Sequence, residues 1–252
     1  MAKLTNIFKR SLKLAKTHDV CASGNPRLTV IFIHGIASDS SSFNGAISYL
    51  EGTKSLQDVR FVAFDLLGSG KSDKSDKLKY DFVDQLEALD NSVKALKITT
   101  PVVLVGHSMG TMIATRFTDT HRRIVKKLIL ISAPIYREED VMNPAFEKAL
   151  DGFRVAVSHK KSKDFMNDKA FNNELKYIVS NPNNYSFLTR LTKPTVIIYG
   201  ELDEIIASFN IPKLLKDNPN ITTIRTPSAH SVSRDKYSKM VDILEETLNE
   251  IK

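Results

Sequence analysis

The segment Pro101-Val102-Val103-Leu104-Val105-Gly106-His107-Ser108-Met109-Gly110-Thr111 holds the most structural information in the chain. Val102 to Val105 form an apolar, mostly β-branched run too short for a helix, so they read as a buried strand entered at Pro101. The residues from Met109 to Phe117 have helical character. Ser108 therefore lies on a strand-to-helix turn. Such a turn is so tight that only small residues fit two places before and two places after the serine, which accounts for Gly106 and Gly110. The turn lifts the hydroxyl above the sheet edge. The start of the following helix adds partial positive charge where an oxyanion would form, so Ser108 reads as a nucleophile rather than an ordinary turn serine.

Comparable short apolar runs occur at 28–33, 59–64, 128–131, 195–199 and 221–224, with helical patterns near 43–50, 82–96, 109–117, 212–215 and 234–251. Strand and helix alternate, which predicts an α/β fold with a mostly parallel central sheet and helices on both faces. Between Pro134 and Pro194 the alternation stops. Phe146, Leu150, Phe153 and Val157 form one helical stripe behind Asn143 and Pro144, and Phe171, Leu175 and Ile178 form another, ended by Ser180-Asn181-Pro182. This reads as a small helical lid, 135–190, inserted in a core made of 25–134 and 191–252. Ligands bind at the strand ends in open α/β sheets, and the lid is expected to cover them.

With 252 residues and 42% hydrophobic content, the chain can bury a large core as one domain. Cys21 is the single cysteine, so no internal disulfide forms, and with no apolar signal segment a cytoplasmic setting is expected. The net charge of +7 is concentrated at the start, where Lys3, Lys9, Arg10, Lys13 and Lys16 face Asp19 alone. Leu4, Phe8 and Leu12 recur there at helical spacing, which predicts a basic helical segment over 1–24. Docking of its stripe on the domain is the preferred reading. Weak membrane-surface contact through residues 1–20 is the second, and a nucleic-acid partner is not expected.

A serine hydroxyl needs a base, and the base needs an orienting carboxylate. Of six histidines, His18, His121 and His159 lie in charged surroundings suited to solvation, and His107 is aimed away from its neighbour's hydroxyl. His34 ends a strand in its own turn. His230, in Thr226-Pro227-Ser228-Ala229-His230-Ser231 after the last strand, is at the same sheet edge as Ser108. Asp203, in Gly200-Glu201-Leu202-Asp203-Glu204, is preferred as the acid over Glu201, Glu204 and the carboxylates Glu138, Glu139 and Asp140. Two backbone donors should serve the oxyanion: the N–H of Met109, and that of Ile36, where Gly35 in Ile33-His34-Gly35-Ile36 lets the chain bend.

His34-Gly35, the turn Asp65-Leu66-Leu67-Gly68-Ser69-Gly70-Lys71-Ser72, the elbow at Ser108, Asp203 and His230 together resemble the α/β-hydrolase superfamily. The likeness runs from about Leu28 to the end and is to the branch of esterases, acylglycerol lipases and carbon-carbon bond hydrolases. It implies that Ser108 attacks an acyl carbon of a small-molecule ester, His230 shuttles the proton and Asp203 orients it, with no cofactor and no metal. Members usually have a strand hairpin before the strand at 28–33, whereas this chain reads as helical there, so the sheet is expected to be short by a strand or two. Two other readings stay open: carbon-carbon bond hydrolysis with the same serine, and a noncatalytic member that binds a small apolar ligand. The turn at 65–72 ends like a phosphate-binding loop, but Asp65 stands where that loop needs its first glycine.

Overall fold

The computed structural model describes residues 11–158, 166–181, 183–203, 206–230 and 237–251. Each of the six apolar runs is a strand: β2 (Leu28–Ile33), β3 (Val59–Asp65), β4 (Val102–His107), β5 (Val125–Ile131), β6 (Thr195–Gly200) and β7 (Ile221–Thr226). A seventh, β1 (Ala15–Val20), pairs antiparallel with β3. The sheet order is β1-β3-β2-β4-β5-β6-β7, and every pairing after the first is parallel.

β1 corrects the expected helical segment over 1–24 and the expected shortfall of strands. The stripe drawn from Leu4, Phe8 and Leu12 does not continue as a helix. Leu4 and Phe8 lie outside the described residues, Leu14 is buried in the core, and from Ala15 the chain extends along the open edge of β3. Ladder hydrogen bonds and the fork of Arg60 on Asp19, at 2.6 and 2.9 Å, outweigh the local helical spacing.

The period-2 alternation of the strands sorts side chains into two cores. Ile31, Ile33, Val62, Phe64, Leu104 and Leu130 face one side, which α2 (Phe82–Ala95) and α3 (Met109–Thr120) cover. Val30, Phe32, Phe61, Val105, Ile129 and Ile198 face the other, beneath α1 (Asn44–Gly52) and α9 (Tyr237–Asn249). Between β5 and β6 lie α4 (Glu138–Val141), α5 (Pro144–Ser158), α6 (Asp168–Glu174), a π-helical turn at Leu175–Val179 and α7 (Asn184–Thr189). After β6 comes α8 (Ile211–Asp217). Phe146 and Leu150 of the first expected stripe pack on the core, as do Phe171, Leu175 and Ile178 of the second. The side chains of Phe153 and Val157 lie outside the description. Among the described residues no helix is long and apolar enough to cross a membrane.

Candidate active site

Ser108 occupies the turn between β4 and α3 with φ 50° and ψ −120°. Its N–H donates to Ile131 O at 2.9 Å, and its carbonyl accepts from the N–H and hydroxyl of Thr111 at 2.9 and 2.6 Å. Close approach explains the flanking glycines. A Cβ on Gly106 would stand 2.8 Å from Gly110 O, and one on Gly110 would run into the carbonyls of Ile33 and His34. These approaches press the turn against the end of β2, which leaves Ser108 at the rim of the sheet.

The parallel strands deliver their ends to this same rim. His230 Nε2 lies 2.9 Å from Ser108 Oγ, and His230 Nδ1 lies 3.1 and 3.0 Å from the two carboxylate oxygens of Asp203. A carboxylate accepts, so Nδ1 carries a proton and Nε2 is free to accept from the serine hydroxyl. The side chain of Asp203 is fully buried and that of His230 is 16% exposed. The remaining acids point elsewhere: Glu201 pairs with Arg225 at 3.0 Å, Glu139 with Arg137 at 2.6 Å, and Asp140 accepts from Asn210 at 2.6 Å. Glu138 sits in the first turn of α4, and Glu204 is outside the described residues. His18 and His121 bind Glu51 and Asp90, and His159 is also outside the described residues.

Gly35 lies against the elbow, since a Cβ there would be 3.1 Å from Ser108 Cβ. Its peptide is oriented by His34. Leu66 N–H donates to His34 Nε2 at 2.8 Å, so the proton sits on Nδ1 and is donated to Gly35 O, also at 2.8 Å. Burial holds the His34 imidazole below its ordinary pKa and keeps it neutral. A trans peptide sends C=O and N–H to opposite sides, so anchoring Gly35 O fixes the direction of the Ile36 N–H. Ile36 is buried, and Met109 is the first residue of α3, whose N–H has no intrahelical acceptor. Burial, together with the nearby Asp203, raises the Tyr136 hydroxyl above its usual pKa.

The turn after β3 is organised by Asp65, which accepts from the N–H of Ser40 and of Lys71 at 2.9 and 2.8 Å and from the Ser40 hydroxyl at 2.6 Å. No helix follows it until Phe82, so the strand-loop-helix unit of a phosphate-binding loop is absent there. Two contacts had no counterpart in the sequence reading. Ser132, just past β5, and His107 both reach the main-chain carbonyl of His230, at 3.3 Å each. Among the described residues no group of three or more His, Cys, Asp or Glu side chains comes together as a metal site.

A family profile described as the alpha/beta hydrolase fold matches residues 29–178, more than half of the chain. The chain belongs to the α/β-hydrolase family. Within it, one curated relative is a probable lysophospholipase, BODYGUARD 5 of Arabidopsis thaliana, 33% identical over 132 residues. That match covers 50% of this hydrolase-family chain and 29% of the relative, so it spans less than a third of the relative's length. The fold is shared with an esterase from Exiguobacterium antarcticum, at TM-score 0.69 and 19% identity over 92% of this chain and 94% of that one. It is shared too with the meta-cleavage product hydrolase of Pseudomonas fluorescens, at TM-score 0.70 and 16% identity over 93% and 94%.

Proposed function

We propose that this α/β-hydrolase is a serine-dependent carboxylic ester hydrolase that works through an acyl-enzyme on small to medium, largely apolar acyl groups. The observation that carries the reading is the unbroken chain of contacts from Ser108 Oγ to His230 Nε2 at 2.9 Å and from His230 Nδ1 to Asp203 at 3.0 Å. In this reading Ser108 Oγ attacks the acyl carbon as His230 Nε2 takes its proton, and Asp203 stabilises the imidazolium that forms. The N–H groups of Met109 and Ile36 hold the oxyanion. Collapse of the tetrahedral intermediate passes the proton from His230 to the departing alkoxide. A water, deprotonated by the same imidazole, then releases the acid.

The helices of 135–190 serve as the lid of this site, with Tyr136, Phe146 and Leu150 supplying apolar surface to the acyl chain. The test is a panel of short p-nitrophenyl esters, a monoacylglycerol, a lysophospholipid and a vinylogous diketone, run with the wild type and Ser108→Ala. Ester turnover that falls by about 10⁴-fold or more in Ser108→Ala is expected. Turnover of the diketone alone would move the assignment to carbon-carbon bond hydrolysis. Saturable binding of these compounds without turnover would make the protein a ligand-binding member of the fold.

A further inference from the structure

The loop that carries His230 is tied down along its approach. Glu201 N–H donates to Thr226 O at 2.9 Å, Leu202 N–H to Ser228 O at 3.0 Å, and the hydroxyls of Thr226 and Ser228 meet at 2.7 Å. The first two bonds join the end of β7 and the loop after it to the loop after β6, the third braces the loop itself, and all end two residues short of the histidine. The peptide of His230 itself is held from the other side. Its carbonyl accepts from Ser132 Oγ, past the end of β5, and from His107 Nε2, at the end of β4, each at 3.3 Å.

Both donors are built for this place. Ser132 sits at φ 51°, a region that side-chain-bearing residues avoid, while its own N–H donates to Ile198 O at 2.8 Å. A strained residue persists where its surroundings over-determine it, and such residues cluster at functional sites. His107 must keep its proton on Nε2, because the partner is a carbonyl that can only accept. Burial, then the neighbouring His230, pull its pKa down to about 4, so one neutral donating tautomer persists above that pH. The His107 and His230 rings lie 5.7 Å apart at 44°, so His107 meets the backbone of His230 rather than its reactive edge.

Building on the ester-hydrolase reading, we propose that His107 and Ser132 are positioning residues that clamp the His230 carbonyl from two strands, so that its ring meets Ser108 and Asp203 at once. Neither touches the reacting atoms. With the peptide fixed, only the two side-chain torsions of His230 remain to be set, and the Asp203 carboxylate sets them. Once the carbonyl is released, the ring spends less time within reach of Ser108 Oγ, and the rate falls without any loss of substrate binding.

The experiment measures the rate of covalent labelling of the full chain by a fluorophosphonate, with kcat and KM on a p-nitrophenyl ester and a melting temperature for each variant. Ser132→Gly removes the hydroxyl and relieves the strain. It should label about 10-fold more slowly, with kcat down and KM unchanged, while melting no lower than the wild type. His107→Met should slow labelling similarly, and His107→Gln, which keeps an N–H donor, should recover most of the rate. Wild-type labelling in both Ser132→Gly and His107→Met would overturn the clamp, as would losses that follow melting temperature with Gln no better than Met. Label on the wild type and none on Ser108→Ala confines such a failure to the clamp. A wild type that takes no label overturns the ester-hydrolase reading and the clamp with it.

Discussion

Ser108 is held where a serine is uncomfortable, at φ 50° and ψ −120°, and the contacts of its N–H with Ile131 and its carbonyl with Thr111 supply the restraint. The strain has a measurable consequence. Ser108→Gly and Ser108→Ala both remove the hydroxyl, but only glycine reaches this region freely, so the glycine variant should be the more stable by about 1 kcal/mol, or about 2–4 °C in melting temperature. An alanine variant that melts as high as the glycine variant would show that the turn stores no strain. The elbow was legible in sequence because its constraints are local: Gly106, Gly110 and the adjoining strand are neighbours of Ser108 in the chain. His230 emerged by elimination and by its place after the last strand. Asp203 was harder, since Glu201 lies two residues away with the same chemistry, and the folded chain separates them by turning Asp203 onto His230 and pairing Glu201 outward with Arg225. Ser132 and His107 were invisible as partners of His230, because their role depends on a main-chain carbonyl about a hundred residues further along the chain.

The helices between β5 and β6 are fastened to the core by polar groups that an apolar stripe does not reveal. Arg116 of α3 places its guanidinium 3.7 Å from the Phe82 ring centroid and 4.2 Å from that of Phe187, and it donates to Asn184. Burial, then Arg190, lower its pKa to about 10, still high enough to keep it charged at neutral pH. On α6, Glu174 is wholly buried and accepts from Gln85 Nε2 at 2.8 Å, while Gln85 also exchanges both hydrogen bonds with the Leu67 peptide at 3.0 Å. Burial pushes the Glu174 carboxyl well above its ordinary 4.5, against the opposing effect of the Gln85 bond, and its Oε2 has no hydrogen-bond partner. The folded protein therefore keeps a proton that the unfolded chain gives up. The stability this contributes is fully present below about pH 4.5 and is lost as pH rises through the folded value. Glu174→Gln abolishes that titration, so its melting temperature relative to the wild type should rise between about pH 5 and about pH 8, by about 2–4 °C for each kcal/mol removed. A difference that stays flat across that range would mean that Glu174 is not held protonated. The stripes of these helices were readable from spacing, and the buried Gln85–Glu174 pair was not, because each residue looks like surface in its own helix. The opposite failure occurred at β1, where helical spacing of leucine and phenylalanine suggested a helix and an open sheet edge claimed the chain.

Across the whole molecule, three segments separated by about a hundred residues or by several elements meet at one rim because parallel strands all end there. Ser108 follows β4, Asp203 follows β6 and His230 follows β7, and the sheet order brings the three ends within side-chain reach. That convergence was legible from the alternation of strand and helix, since parallel pairing alone puts every strand's C-terminal end on the same side. How the helices between β5 and β6 dock was not, because the placement of α5 and α7 depends on contacts such as Tyr136 against Phe146 and Asn184 against Pro134. What the convergence would accomplish is transfer of an acyl group to Ser108, and that transfer can be trapped. Wild-type protein mixed with a p-nitrophenyl ester, quenched in acid during turnover and examined by intact and peptide mass spectrometry should carry one acyl group on the peptide containing Ser108, with none on Ser108→Ala. Ester turnover that persists in Ser108→Ala, with no acyl adduct on the wild type, would contradict it.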